Sequence, residues 1–242
     1  MIYDSSEKDP DIICRTRYRT IARECRRHGL AQDQIKKSLY ELSQQVGDRY
    51  YLKDTAYKPT GVALGCPLPD ANVARQLWRI AQLFERYLKL LCPDDEKTFA
   101  FVPSDSYHIT LANRSHFETT TAITPITEEE KEISRQAIAR VGQGTIKVHL
   151  HGLILTRTGR LIIPGFPCDT RLYQIRASLV ERISELRVNV PDVAHIKLGH
   201  VLAPLDMQKV ESLLCWIMRC GGLVSFGLSF DDVYTPIGRI SL

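Results

Sequence analysis

The chain has 242 residues, 44% hydrophobic and 25% charged, with a formal net charge of +4. That balance suits one large domain or two closely packed lobes and excludes a disordered chain. No apolar run reaches the ~20 residues of a membrane-spanning helix, the start Met1–Pro10 is polar and unlike a secretory signal, and seven scattered cysteines lack a CxxC pair, so the expectation is a cytoplasmic protein with reduced thiols.

Charge is uneven. Residues 1–60 hold 12 Lys/Arg against 9 Asp/Glu, and Arg15, Arg17, Arg19, Arg23, Arg26 and Arg27 face the single acid Glu24. A helix here either carries ordinary solvated arginines or meets nucleic-acid phosphates through Arg15, Arg19, Arg23 and Arg26. Residues 11–47 read as two helices broken near His28-Gly29, the second running from Gln32-Asp33 to Gly47. A strand follows at Gly61–Gly65. Asp70 then caps a helix in which Val73, Leu77, Ile80, Leu83, Phe84, Leu88 and Leu91 recur at helical spacing. Strands are predicted at Phe99–Val102 and around His108. Thr127-Glu128-Glu129-Glu130 opens a helix reaching Val141.

The segment Thr145–Thr156 alternates as a strand and turns at Thr158-Gly159 into Leu161–Ile163. Pro164-Gly165-Phe166-Pro167 reads as a loop, 170–186 as a helix, and a strand carrying His195 comes next. Asp206 opens a helix stopped by Gly221-Gly222, and strands finish the chain at 223–234 and 238–242. The order of elements predicts an α+β protein: two pseudo-symmetric lobes with antiparallel sheets around a central cleft over residues 61–242, preceded by a helical extension over 1–60.

Two segments carry chemistry: Tyr107-His108-Ile109-Thr110-Leu111 and Ala194-His195-Ile196-Lys197-Leu198. In a strand, residues i and i+2 share a face, so His108 projects with Thr110 and His195 with Lys197. Two imidazoles with hydrogen-bond donors beside them suit a phosphodiester: one ring takes a proton from the nucleophile, the other gives one to the leaving oxygen. Tyr107 and Tyr234 are aromatic candidates for stacking a base, against plain strand packing for each. His149 and His151 share a face but lack the acids or thiols that would complete a metal site, so no metal is expected. On a regular strand, His200 faces away from His195.

The pair His108-Ile109-Thr110-Leu111 and His195-Ile196-Lys197-Leu198-Gly199 resembles the two-histidine (2H) phosphoesterase superfamily, which includes the LigT-like RNA phosphodiesterases. The first motif matches in full; in the second, Lys197 stands where the family has Thr or Ser. The resemblance implies metal- and cofactor-independent hydrolysis of a 2′,3′-cyclic phosphate or another 2′-linked nucleotide or RNA bond. His108 and His195 would be acid and base, and Thr110 would donate to a phosphate oxygen. Lys197 either holds the phosphate as a point charge or lies along a solvated strand edge. The competing expectations are a non-catalytic RNA- or nucleotide-binding module on the same scaffold, and a scaffold protein docking a partner through residues 1–60.

Overall fold

Helix and strand fall largely where apolar spacing places them. The protein is seen in a computed structural model that describes residues 10–35, 43–52, 62–64, 68–114, 127–141, 144–183, 186–187, 193–235 and 238–241. Helix α1 spans Pro10–His28. Helix α2 (Ala71–Leu91) starts where the Asp70 carboxylate accepts from the Asn72 and Val73 amides, replacing bonds the first turn lacks. It buries Val73, Leu77, Phe84 and Leu88, while Leu83, predicted on that stripe, is 53% exposed. Helix α3 (Glu128–Val141) opens with a reciprocal capping box, the Thr127 amide donating to Glu130 Oε2 and the Glu130 amide to Thr127 Oγ1. Helices α4 (Arg171–Arg182) and α5 (Met207–Gly221) follow, the second capped by Asp206 through the Lys209 amide. None of the described helices is long and apolar enough to cross a membrane.

The sheet shows why the two motifs meet. Strands β3 (Val62–Leu64), β5 (Ile109–Arg114), β12 (Asp232–Thr235) and β13 (Gly238–Ser241) form one antiparallel arm in the order β5-β3-β12-β13. Strands β6 (Ile146–His151), β8 (Arg160–Pro167), β10 (Ala194–Val201) and β11 (Ser225–Phe230) form a second, ordered β10-β8-β6-β11. Each arm begins with a motif-bearing strand, short strands β7 (Ile154–Leu155) and β9 (Leu186–Arg187) pair with β8 and β5 respectively, and the arms join where β5 pairs with β10. The fold is therefore α+β and rich in antiparallel strands, with two arms of like construction. The main core, including Ile109, Leu111, Ile163, Ile196, Phe84 and Leu213, fills one side of this junction.

Two expectations need correction. The second helix does not run to Gly47: residues 36–42 lie outside the described part, and 43–52 form a hairpin of β1 (Ser43–Val46) and β2 (Arg49–Leu52). Gly47 turns it at φ +63°, a left-handed conformation that favours glycine. Strand β2 then joins β4 (Phe99–Phe101) in parallel, at the end of β10, so this segment is part of the sheet. The second correction concerns Pro164-Gly165-Phe166-Pro167, which continues β8 between β10 and β6.

Candidate active site

The register between β5 and β10 builds the site. Ile109 and Ile196 are paired antiparallel and both fully buried on the core side. Continuing that register one residue either way sets His195 opposite Thr110 and Lys197 opposite His108, all on the other face. Directly opposed side chains have Cβ atoms about 5 Å apart and diagonal ones about 7–8 Å. His108 and His195 are such a diagonal pair, a separation in which a phosphate fits between two imidazoles. All four side chains are half-buried.

A β-bulge extends the cluster. On β8, Ile162 faces Lys197 and the next residue back, Leu161, faces Gly199, so Leu198 is extra. One inserted residue reverses the phase of the strand beyond it. His200 is thereby brought to the same face as His195 and Lys197, correcting the expectation of a regular strand, and is paired across from Arg160. A seventh group arrives from α4: Arg176 Nη2 donates to the Thr110 carbonyl at 2.7 Å, and its charge acts on His195. Sequence reasoning missed Arg160 and Arg176. For Arg176 the only available sign was an arginine within the apolar stripe Leu172, Ile175, Leu179 of α4.

Hydrogen bonds fix the state of two rings. His108 Nδ1 lies 2.8 Å from the Ser106 carbonyl, which can only accept, so Nδ1 carries hydrogen and neutral His108 offers its lone pair at Nε2. By the same logic His200 Nδ1–H donates to the Val201 carbonyl at 3.0 Å. His195 Nδ1 is buried and has no hydrogen-bond partner among the described residues. Burial lowers the pKa of His108 to about 4, partly offset by the Ser106 bond and reinforced by the Lys197 charge. Burial, then Arg160, Arg176 and Lys197, takes His195 to about 3. Burial and Arg160 bring Lys197 down to about 7, and burial, with Lys197 and Arg160, holds His200 near 4. Every charged neighbour named in these shifts is basic, so the charges acting on these four groups are cationic.

Such buried histidines make stability pH-dependent. An unfolded histidine titrates near 6.5 and buried His200 near 4, so between those values only the unfolded chain holds the proton. Stability is therefore complete at neutral pH and falls as pH drops through that window, by about 3 kcal/mol for His200 alone. Urea midpoints at pH 7 and pH 4.5 check this: the wild type weakens at the lower pH, and His200→Asn weakens less. Equal drops in the two proteins would remove His200 from the account.

Tyr107 is fully buried in the main core, on the opposite face from His108, so it has no open ring face for a base. Tyr234 pairs with Ala63, which pairs with Thr110, so its backbone lies in the same cross-strand row, two strands from Thr110; its side chain lies outside the described part. His149 and His151 stack 6.2 Å apart on the exposed face of β6, and no described group of His, Cys, Asp and Glu could hold a metal ion. Helix α1 crosses the site face, with Cys14 and Tyr18 packed on Ile162 and Val193. The Tyr18 hydroxyl donates to the carbonyl of Ala194, the neighbour of His195, and accepts from the Gly165 amide at 3.1 Å. Arg15 lies 5.2 Å over the Phe166 ring, while Arg19, Arg23 and Arg26 line a groove of about 290 Å³ with Ile154 and Met218.

No known protein family and no curated protein matches the chain. Among solved structures it is similar to that of Kluyveromyces marxianus Usb1, at 14% sequence identity and a TM-score of 0.43, over 75% of this chain and 96% of that one.

Proposed function

We propose that the protein is a phosphodiesterase of two-histidine type, hydrolysing a 2′,3′-cyclic phosphate or another 2′-linked nucleotide or RNA bond. The observation that carries this reading is the β5–β10 register, which sets His108 and His195 diagonally across one face with Thr110 and Lys197 completing the square. His108 is the base: its Nδ1–H is committed to Ser106, leaving Nε2 to take a proton from water as the water attacks phosphorus. His195 is the acid. An anionic phosphodiester beside it favours the charged ring, and the proton it then carries passes to the departing ribose oxygen. Thr110 donates to a non-bridging oxygen, and Lys197 opposes the phosphate charge. Tyr234, on the same row of the sheet, is the candidate for base contact, and Arg15, Arg19, Arg23 and Arg26 on α1 would meet an RNA backbone. A binding module without turnover is the second reading, supported by the same cationic face.

The deciding experiment is turnover of 2′,3′-cyclic nucleotides and short RNAs ending in a 2′,3′-cyclic phosphate, in EDTA. The hydrolytic reading expects chelator-resistant turnover. Tight nucleotide binding without any hydrolysis would replace it with the binding module.

Lys197 adds a pH signature. Its ammonium is held near pKa 7, so phosphate attraction is present below that pH and fades as pH rises through it. Its deprotonation is expected to lower kcat/KM about tenfold per pH unit above 7, the limiting slope for one proton. Lys197→Arg keeps its charge throughout this range, so its profile should lose the Lys197 component and fall more shallowly than the wild type, by the slope of His195 alone. A wild-type profile flat from pH 7 to 9 would detach Lys197 from substrate.

A further inference from the structure

We propose that Arg160, working with Lys197 and seated by His200, forms a second phosphate subsite beside the two histidines, so that the preferred substrate is an oligonucleotide rather than a mononucleotide. The inference rests on the hydrolytic reading above and names its substrate class.

The strand geometry carries it. Without the bulge at Leu198, His200 would point into the core; with it, His200 and its cross-strand partner Arg160 share the face of His195 and Lys197. Bulges are common beside active sites, where they re-aim side chains. Lys197 and His200 lie three residues apart, about 10 Å along an extended strand, a distance that the long Lys and Arg side chains shorten. The tip is built rather than loose. Arg160 starts β8 from a turn closed by its amide donating to Thr156 Oγ1 at 3.0 Å and by the Thr156 amide donating to the Arg160 carbonyl at 2.9 Å. Gly159, at φ +79°, lets the His200 ring pack directly on that turn: an added Cβ would lie 3.2 Å from the imidazole. The Val201 amide ties β10 to the same glycine carbonyl at 2.8 Å.

Charge completes the case. The charge of Arg160 acts on His195, Lys197 and His200 alike. One phosphodiester carries a single negative charge, fewer than the basic groups gathered on this face. A guanidinium binds phosphate through paired N–H donors, which suits a neighbouring internucleotide phosphate not undergoing chemistry.

The test compares uridine 2′,3′-cyclic phosphate, with one phosphate, and the dinucleotide UpU ending in a 2′,3′-cyclic phosphate, with two. Arg160→Gln is expected to lower kcat/KM for the dinucleotide at least tenfold and for the mononucleotide less than threefold, because Thr110 and Lys197, not Arg160, hold the scissile phosphate. Arg160→Lys should recover part of the loss, and matched melting temperatures show that the variants fold. Equal losses on both substrates, or none on the dinucleotide, overturn the subsite. Should the wild type hydrolyse neither, calorimetric Kd values for 3′-UMP and for UpU 3′-phosphate separate the two ideas. A tenfold loss confined to the latter in Arg160→Gln keeps the subsite while the hydrolytic reading fails; no difference between the two ligands removes the subsite as well.

Discussion

Replacing either His108 or His195 with alanine is expected to lower kcat/KM on a cyclic-phosphate substrate by roughly 10²–10⁴-fold, the usual contribution of a positioned acid or base. The two rings act on one transition state, so the double variant should lose little more than either single one. Neither change should cost much stability at pH 7: both side chains are half-buried, and truncation removes imidazoles whose charging the fold disfavours. His108→Gln separates the roles further. An amide nitrogen can replace the donor to Ser106 but supplies no basic lone pair, so the ring's neighbours stay in place while turnover is lost. Thr110→Val, which deletes one hydroxyl donor and keeps the shape, should cost about tenfold, in line with one hydrogen bond of about 1.4 kcal/mol. Rates and melting temperatures on the same preparations check all of this. Full activity in His195→Ala would show that the acid lies elsewhere, with Lys197 the next group to examine.

What could be read from sequence followed the reach of simple periodicity. The two motifs were legible because a strand repeats every two residues, and each histidine lies two positions from its polar partner. The helix starts at Asp70, Thr127 and Asp206 were legible because a short polar side chain or acid before an apolar-periodic run favours a helix N-terminus. His200 was misplaced because a bulge depends on the partner strand's register, which no local pattern in 194–201 encodes. The segment 164–167 suggested a loop because proline lacks an amide hydrogen, yet β8 accommodates Pro164 opposite His195 and Pro167 opposite Val148. Ser43–Leu52 is too short and too polar to declare itself; its hairpin holds because β2 finds β4, an element about fifty residues away. Arg160 and Arg176 reach the site from a turn and a helix, so their membership exists only in three dimensions.

Gly199→Ala is expected to destabilise the fold strongly, and the loss should be structural before it is catalytic. Gly199 is where β10 leaves β8's regular register and meets β4 at Phe101. An added Cβ there would overlap the edge of the Phe99 ring at Cζ and lie 2.5 Å from the Ala100 carbonyl oxygen. Phe99 cannot swing aside, since it is fully buried and packs edge-on against Phe84 at 5.2 Å and Phe101 at 5.0 Å. Overpacking against yielding side chains costs about 1–3 kcal/mol. Here backbone must also move, so a loss of at least about 3 kcal/mol is expected, which in a chain of this size is a melting temperature lower by roughly 6–12 °C. Gly227 in β11 is the control: a Cβ there meets nothing within 4 Å, and Gly227→Ala should leave the melting temperature nearly unchanged. The consequence for the site follows from position. The bulge that aligns His195, Lys197 and His200 closes at Gly199, so forcing β10 away from β4 slides the second motif against the first. Turnover in Gly199→Ala should therefore fall even below its melting point, whereas a variant as stable and active as Gly227→Ala would mean that the close approach of β4 to β10 does not set this alignment.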